Sequence, residues 1–271
     1  LDYYRKLGKD LFSYKTLDPT TGFTSMFMNV ADMVNHGVEL TFTGDWFRER
    51  RRSDLGWRST LTFALNKNRI TNVENASTRA YELASNPYRE GYPTSALWSY
   101  RFAGISDAEG EKGQTLWFSD NDRKTHFATS SSVDVMEYSG QTEPVVIVGL
   151  DNRFTWNGLS LSVLMAYYGG HVMRALAETE TFDVGSGGVP SYFLNAWTPE
   201  NRTNTPGIGR YSSSAIGHEP STSDISVRSA AFLKIRNIVL GYELPENWAR
   251  RIGASRVNLQ FQVDNIPAIW T

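Results

Sequence analysis

The chain has 271 residues, of which 40% are hydrophobic and 13% aromatic, with no cysteine and a formal net charge of -2. Missing cysteine removes disulfides, thiolate metal sites and a cysteine nucleophile together, and the near-neutral charge gives no electrostatic basis for holding nucleic acid. A mean hydropathy of -0.39 excludes helical membrane spans but has no bearing on barrel strands, half of whose residues are polar.

In chain order, residues 1–7 read as a short strand and 8–35 as a long connection. Val38, Leu40, Phe42 and Trp46 then alternate with Glu39, Thr41, Thr43 and Asp45, which predicts a strand with one apolar face. A short turn follows at 47–56, where Arg48, Arg50, Arg51 and Arg52 surround Glu49; such a run is either a solvated face or a contact for a partner. Trp57, Leu61, Phe63 and Leu65 alternate with Arg58, Thr60, Thr62, Ala64 and Asn66 in the next strand. After a long connection at 71–96, shorter strands are expected at 97–105 and 114–118, joined by a short link at 106–113. Glu109 and Glu111 in that link could in principle do glycosidase work, but a Gly-rich turn favours simple solvation. The long connection 119–146 carries Asp120-Asn121-Asp122, whose spacing falls short of a calcium loop and suits a polar turn.

Asn157-Gly158 is the two-residue hairpin signal, and pairing the flanking runs about it fixes a register. Trp156 then faces Leu159, Phe154 faces Leu161, Leu150 faces Met165 and Val148 faces Tyr167, with Asn152 opposite Val163 the exception on an apolar face. On the other face Thr155 meets Ser160, Arg153 meets Ser162, Asp151 meets Leu164 and Gly149 meets Ala166. The longest connection, 169–229, contains a flexible tip at Gly185-Ser186-Gly187-Gly188 and four aromatic residues, Trp197, Tyr192, Phe193 and Tyr211. Their rings could stack on a sugar or peptide or pack on a covering protein, or they could hold the loop together. Residues 232–242 form a strand whose faces mix Lys234 and Arg236 with Ile238 and Leu240; after a link at 245–255, Val257, Leu259, Phe261 and Val263 alternate without a break with polar residues up to Asp264. His36, His126, His171 and His218 have no paired metal spacing and read as loop or surface residues. Neither a nucleophile elbow nor a phosphate loop occurs, so no catalysis, metal or cofactor is expected.

About ten residues of tilted strand cross a bilayer's hydrocarbon layer, so apolar faces of this length suit lipid and the small polar faces a wet lumen. Short links alternate with long ones, as in an outer-membrane barrel with short periplasmic turns and long extracellular loops. Structureless loops beyond about 15 residues are uncommon in compact soluble domains. The expected fold is therefore all-β: part of an antiparallel transmembrane barrel of about eight strands. The rival is a soluble or cell-surface all-β carbohydrate-binding or adhesin module, in which two apolar sheets pack on each other. A charge replacing Leu161, taken as mid-bilayer, would separate the two.

Several phrases in order carry a family resemblance: Asn35-His36-Gly37-Val38-Glu39-Leu40, Leu65-Asn66-Lys67-Asn68-Arg69-Ile70, Glu90-Gly91-Tyr92-Pro93, Gly149-Leu150-Asp151-Asn152-Arg153-Phe154, Trp197-Thr198-Pro199-Glu200-Asn201 with Pro206, Phe232-Leu233-Lys234-Ile235-Arg236-Asn237-Ile238 and Leu240-Gly241-Tyr242-Glu243-Leu244-Pro245. Together they resemble the C-terminal part of the barrel in SusC/RagA-type TonB-linked outer-membrane proteins of the Bacteroidetes. The resemblance implies a plugged barrel that imports oligosaccharides or peptides under a SusD-like surface lipoprotein, driven by the TonB system. Over residues 1–271 only a barrel segment is found, with no plug domain, no TonB-box segment and no closing C-terminal strand; both ends are expected to be cuts. Asp264-Asn265-Ile266-Pro267 departs from the family pattern, and Pro267 is expected to end its strand early.

Overall fold

The computed structural model describes residues 1–17, 19–23, 25–74, 76–119, 122, 124–125, 132–175, 191–205 and 222–270. In chain order the strands are β1 (Asp2–Thr16), β2 (Ser25–Phe47), β3 (Gly56–Val73), β4 (Ala96–Tyr100), β5 (Phe102–Ile105), β6 (Thr115–Phe118), β7 (Lys124–Thr125), β8 (Met136–Gln141), β9 (Val146–Trp156), β10 (Leu159–Gly169), β11 (Val172–Arg174), β12 (Val227–Ser229), β13 (Phe232–Glu243), β14 (Asn258–Asp264) and β15 (Ala268–Trp270). Among the described residues two short α-helices, α1 (Ala80–Ser85) and α2 (Glu246–Arg251), and several 3-10 turns interrupt them.

One eight-stranded sheet dominates, in the order β1-β2-β3-β9-β10-β13-β14, with β15 also beside β13. All its pairings are antiparallel. Its strands therefore follow one another along the chain, except where the chain leaves at 74–145 and again at 170–231. The β9–β10 hairpin has the register its turn dictates, Trp156 opposite Leu159 through Val148 opposite Tyr167. Asn157 (φ 49°) and Gly158 (φ 83°) both take the positive φ that such a turn requires.

Because the registers agree from strand to strand, period-two alternation becomes rows across the sheet. Phe47, Trp57, Phe154, Leu161, Leu240 and Phe261 form one apolar row, and Leu40, Phe63, Val148, Tyr167, Leu233 and Trp270 another. On the opposite face Thr41, Thr62, Gly149, Ala166 and Lys234 line up. Among the described residues no second sheet covers the apolar face: Phe42 is 50% and Phe261 66% exposed. The packed double sheet that a soluble sandwich needs is absent there. Asn152, the polar exception, accepts from Ser59 Oγ at 2.5 Å and Trp57 Nε1 at 3.1 Å, so its carbonyl oxygen is satisfied by its own neighbours.

The turns at 48–55, 157–158 and 244–257 lie at one rim of the sheet; the excursions 74–145 and 170–231 depart from the other. Three expectations are corrected. Residues 8–35 are mostly strand rather than a connection, since β1 and β2 stay paired from Asp2↔Glu39 to Thr16↔Ser25. Register shifts between Gly8 and Phe12, with Asp10 at φ 59°, break the alternation that would have shown it. The strands expected at 97–105 and 114–118 exist but lie outside the main sheet: β4 pairs with β8, and β5-β6-β7 form their own small sheet. Accordingly, 106–113 is a turn inside the first excursion and not one at the short-turn rim. Finally, Pro267 interrupts its strand without ending it, because β15 resumes pairing with β13 at Lys234↔Ala268 and Leu233↔Trp270.

Candidate functional site

At the rim where the excursions leave, the first of them builds its own core. Ala80 and Leu83 of α1, Ala96, Trp98 and Tyr100 of β4, Trp117 of β6, and Val135 and Met136 are all buried together. Tyr92 and Tyr138 pack on Trp98 edgewise, with ring centroids 4.7 and 5.7 Å from it, and burial raises the pKa of Tyr100 and of Tyr138 above the ordinary phenol value. Gly91, at φ 89°, lets the 90–92 segment turn back onto the end of β3, where its N–H donates to Ile70 O (3.0 Å) and Ile70 N–H donates to Tyr92 O (2.9 Å).

The second excursion is fastened to that core by Arg174 of β11. Its guanidinium donates to Trp98 O (2.7 Å), Ser99 Oγ (3.1 Å), Ser223 O (2.8 Å) and Ser226 Oγ (3.0 Å). Ser99, Ser223 and Ser226 are fully buried. Burial lowers the pKa of Arg174, and the Asp224 carboxylate opposes the shift. Asp224 itself accepts from the Phe102 N–H at 3.0 Å and from Ser223 Oγ at 2.9 Å. Nothing in the sequence pointed to this cluster, because its members are scattered along the chain and form no motif.

Of the four loop aromatics, the structure places one fully. Trp197 is half-buried; its N–H donates to Thr205 O at 2.9 Å, and its ring lies over Gly113, where an added Cβ would come within 3.0 Å. Close by in sequence, Arg202 pairs with Asp107 at 2.5 Å, so segment 191–205 is held against the 106–113 turn. Tyr192 and Phe193 lie in a short 3-10 turn, Ser191–Asn195, with their side chains outside the described residues. Tyr211 lies wholly outside them, as do His126, His218, Gly185-Ser186-Gly187-Gly188 and Asp120-Asn121. Among the described residues, Trp197 therefore packs on the 106–113 turn.

Two aromatic contacts missed in the sequence line the polar face near this rim. Tyr168 and Phe232 stack at 4.9 Å and 20°; their alternation from Tyr167 and Leu233 would have placed them there. Tyr4 lies over Gly37, where a Cβ would meet its ring at 2.6 Å, and donates to Asn66 Oδ1 at 3.1 Å. That contact gives a physical reason for the glycine in the His36-Gly37-Val38 phrase. His171, a half-buried loop residue between β10 and β11, packs against Phe232 at 6.5 Å, its Nδ1 is buried without a hydrogen bond, and burial lowers its pKa. Among the described residues no group of His, Asp and Glu side chains could hold a metal.

No protein-family model matches the chain. Curated relatives do. TonB-dependent receptor P3 of Formosa agariphila is 23% identical over 98% of the chain and 27% of its own length. TonB-dependent receptor P26 of the same organism is 24% identical over 90% of the chain and 26% of its own length. The chain thus spans about a quarter of the length of these relatives. Among solved structures, the RagAB peptide transporter aligns with a TM-score of 0.74 at 23% identity, over 99% of this chain and 29% of that one. The RagAB peptide importer in its closed-closed state aligns at 0.72 and 24% identity, over 99% and 29%. The chain is homologous to TonB-dependent receptors over nearly its whole length, as the ordered phrases implied, and its sheet has the TonB-dependent transporter barrel fold, left open as one portion of a wall.

Proposed function

We propose that residues 1–271 form a wall segment and outer loops of an outer-membrane barrel that takes up oligosaccharide or peptide fragments, coupled to TonB through a plug outside this chain. The observation that carries this reading is the two-faced sheet, whose apolar rows run across it without a covering layer among the described residues while the opposite face is mostly small or polar. Such a surface is stable against lipid on one side and water on the other. The chain does no chemistry of its own. A SusD-like surface lipoprotein sits over the clasped loops, and Trp197, Tyr192, Phe193 and Tyr211 contact that lipoprotein or the substrate. Of the two substrate classes, peptide is favoured by the likeness to a structure described as a peptide importer, and the stacked Tyr168–Phe232 rings on the polar face suit either class.

The test is to fractionate native cells with an antibody to this chain, solubilise the outer membrane gently and identify what co-purifies. A large antigen in the outer membrane, accompanied by a surface lipoprotein, and loss of labelled peptide or oligosaccharide uptake on deletion, is the expected result. A soluble antigen of 30.5 kDa would overturn the reading.

A further inference from the structure

We propose that the short-turn rim binds anionic phospholipid headgroups through arginines set beside exposed aromatic side chains. The inference rests on the outer-membrane reading and adds a ligand to it. Residues 48–55 and 244–257 hold seven arginines against three carboxylates, whereas 74–145 and 170–231 together hold ten cations against seventeen carboxylates. A chain with a net charge of -2 is therefore polarised along its strands, positive at the short turns and negative at the long loops.

The arginines divide by what they touch. Arg52 donates to Glu243 O, while its own carbonyl accepts from the Asn157 N–H at 2.8 Å, so it ties three short-turn segments together. Arg250 pairs with Glu246, and Arg256 pairs with Glu243 at 3.2 Å. Asp54 fixes the backbone of the first turn by accepting from the N–H groups of Arg50 (3.2 Å) and Arg51 (2.9 Å). The guanidinium groups of Arg50, Arg51 and Arg251 remain exposed and unpaired among the described residues. Trp46, Phe47, Trp156 and Trp248 at the same rim are each more than half exposed. Trp46 and Phe47 continue the apolar face, lying 5.9 and 6.0 Å from the Trp57 ring.

Aromatic rings at the end of a lipid-facing surface sit at headgroup level, and a guanidinium fork just beyond them is at the height of the phosphates, which it can grip bidentately. An acidic protein would match the charge alone. A headgroup matches both charge and rings, because only a ligand lying in the bilayer plane touches the two at once.

The experiment uses the full-length protein carrying this chain, reconstituted into vesicles of phosphatidylcholine with or without phosphatidylglycerol. Its heat-dependent mobility on gels is read first, then the lipid that stays bound after mild extraction. The expected result is insertion in both, selective retention of phosphatidylglycerol that fades in high salt, and loss of about fivefold per arginine in the combined variant Arg50→Gln, Arg51→Gln, Arg251→Gln. Lys112→Gln at the opposite rim should change nothing. Insertion with equal retention of both lipids overturns this proposal alone. Inorganic phosphate displacing the lipid at millimolar concentration also overturns it, since the site then recognises phosphate rather than a membrane. Failure to insert sinks it together with the barrel reading.

Discussion

Arg174 reaches acceptors that lie 49 to 76 residues away along the chain, and this half-buried cation joins the two excursions. Replacing it by Met keeps the stem but removes the donor from Trp98 O and Ser99 Oγ, whereas Ser223 O keeps the Ser226 hydroxyl at 2.8 Å. An unsatisfied buried polar group costs about 1–3 kcal/mol, so local stability at the clasp should fall by about 2–3 kcal/mol. Hydrogen exchange should show this as faster opening at 97–100 and 223–228, with β9 and β10 unchanged. Arg174→Lys should recover only part, because one ammonium cannot span acceptors spread around a planar fork. At this scale the sequence was least legible. Alternation reports which face a residue occupies but not which distant residue it meets, which is why Arg174, Asp224 and His171 carried no signal. Trp197 was legible as an aromatic in a loop, and only the structure showed Gly113 beneath it.

At the level of elements, the hairpin was the most legible part, because its two-residue turn leaves one register and a one-residue slip would turn every side chain to the wrong face. Where a bulge or a proline disturbs the alternation, as around Asp10 and Pro267, the reading stopped short of strands that the partner strand nonetheless completes. The shorter runs at 97–105 and 114–118 are strands in truth, but local pattern cannot say which sheet a strand joins. The same register refines a test of lipid contact. Leu161 lies two residues from the end of its hairpin, in the row with Phe47 and Trp57 near the aromatic rim, whereas Leu150 and Met165 lie further along the strands. An arginine at Leu150 should therefore cost about 2–4 kcal/mol in a bilayer and one at Leu161 only about 0–1 kcal/mol. Denaturant titration of the reconstituted protein would measure both. An arginine at Thr62, on the polar face, should be tolerated, and equal costs at all three positions would argue against a lipid-facing side.

For the whole molecule, the outer-membrane reading puts the short turns on the periplasmic side and the long excursions outside, an orientation that can be tested. Trypsin added to intact cells should spare the Arg50-Arg51 turn and cleave it once the outer membrane is made permeable; cleavage at that turn in intact cells would reverse the assignment of the rims. The overall class was legible because it depends on repetition of a simple rule across strands, and the ordered phrases then narrowed it. What the loops do was not, since their fold depends on contacts between segments separated by the wall itself. That separation has a temporal side. Trp98 and Ser99 precede β9 and β10 in the chain, and Arg174 follows them. On the outer-membrane reading, the clasp closes once the intervening hairpin has been made and both loops have reached the same side of the membrane. A closed clasp is therefore a record that this stretch of wall was threaded correctly, and a protease-resistant loop cap would appear late in biogenesis, as a sign of completed assembly.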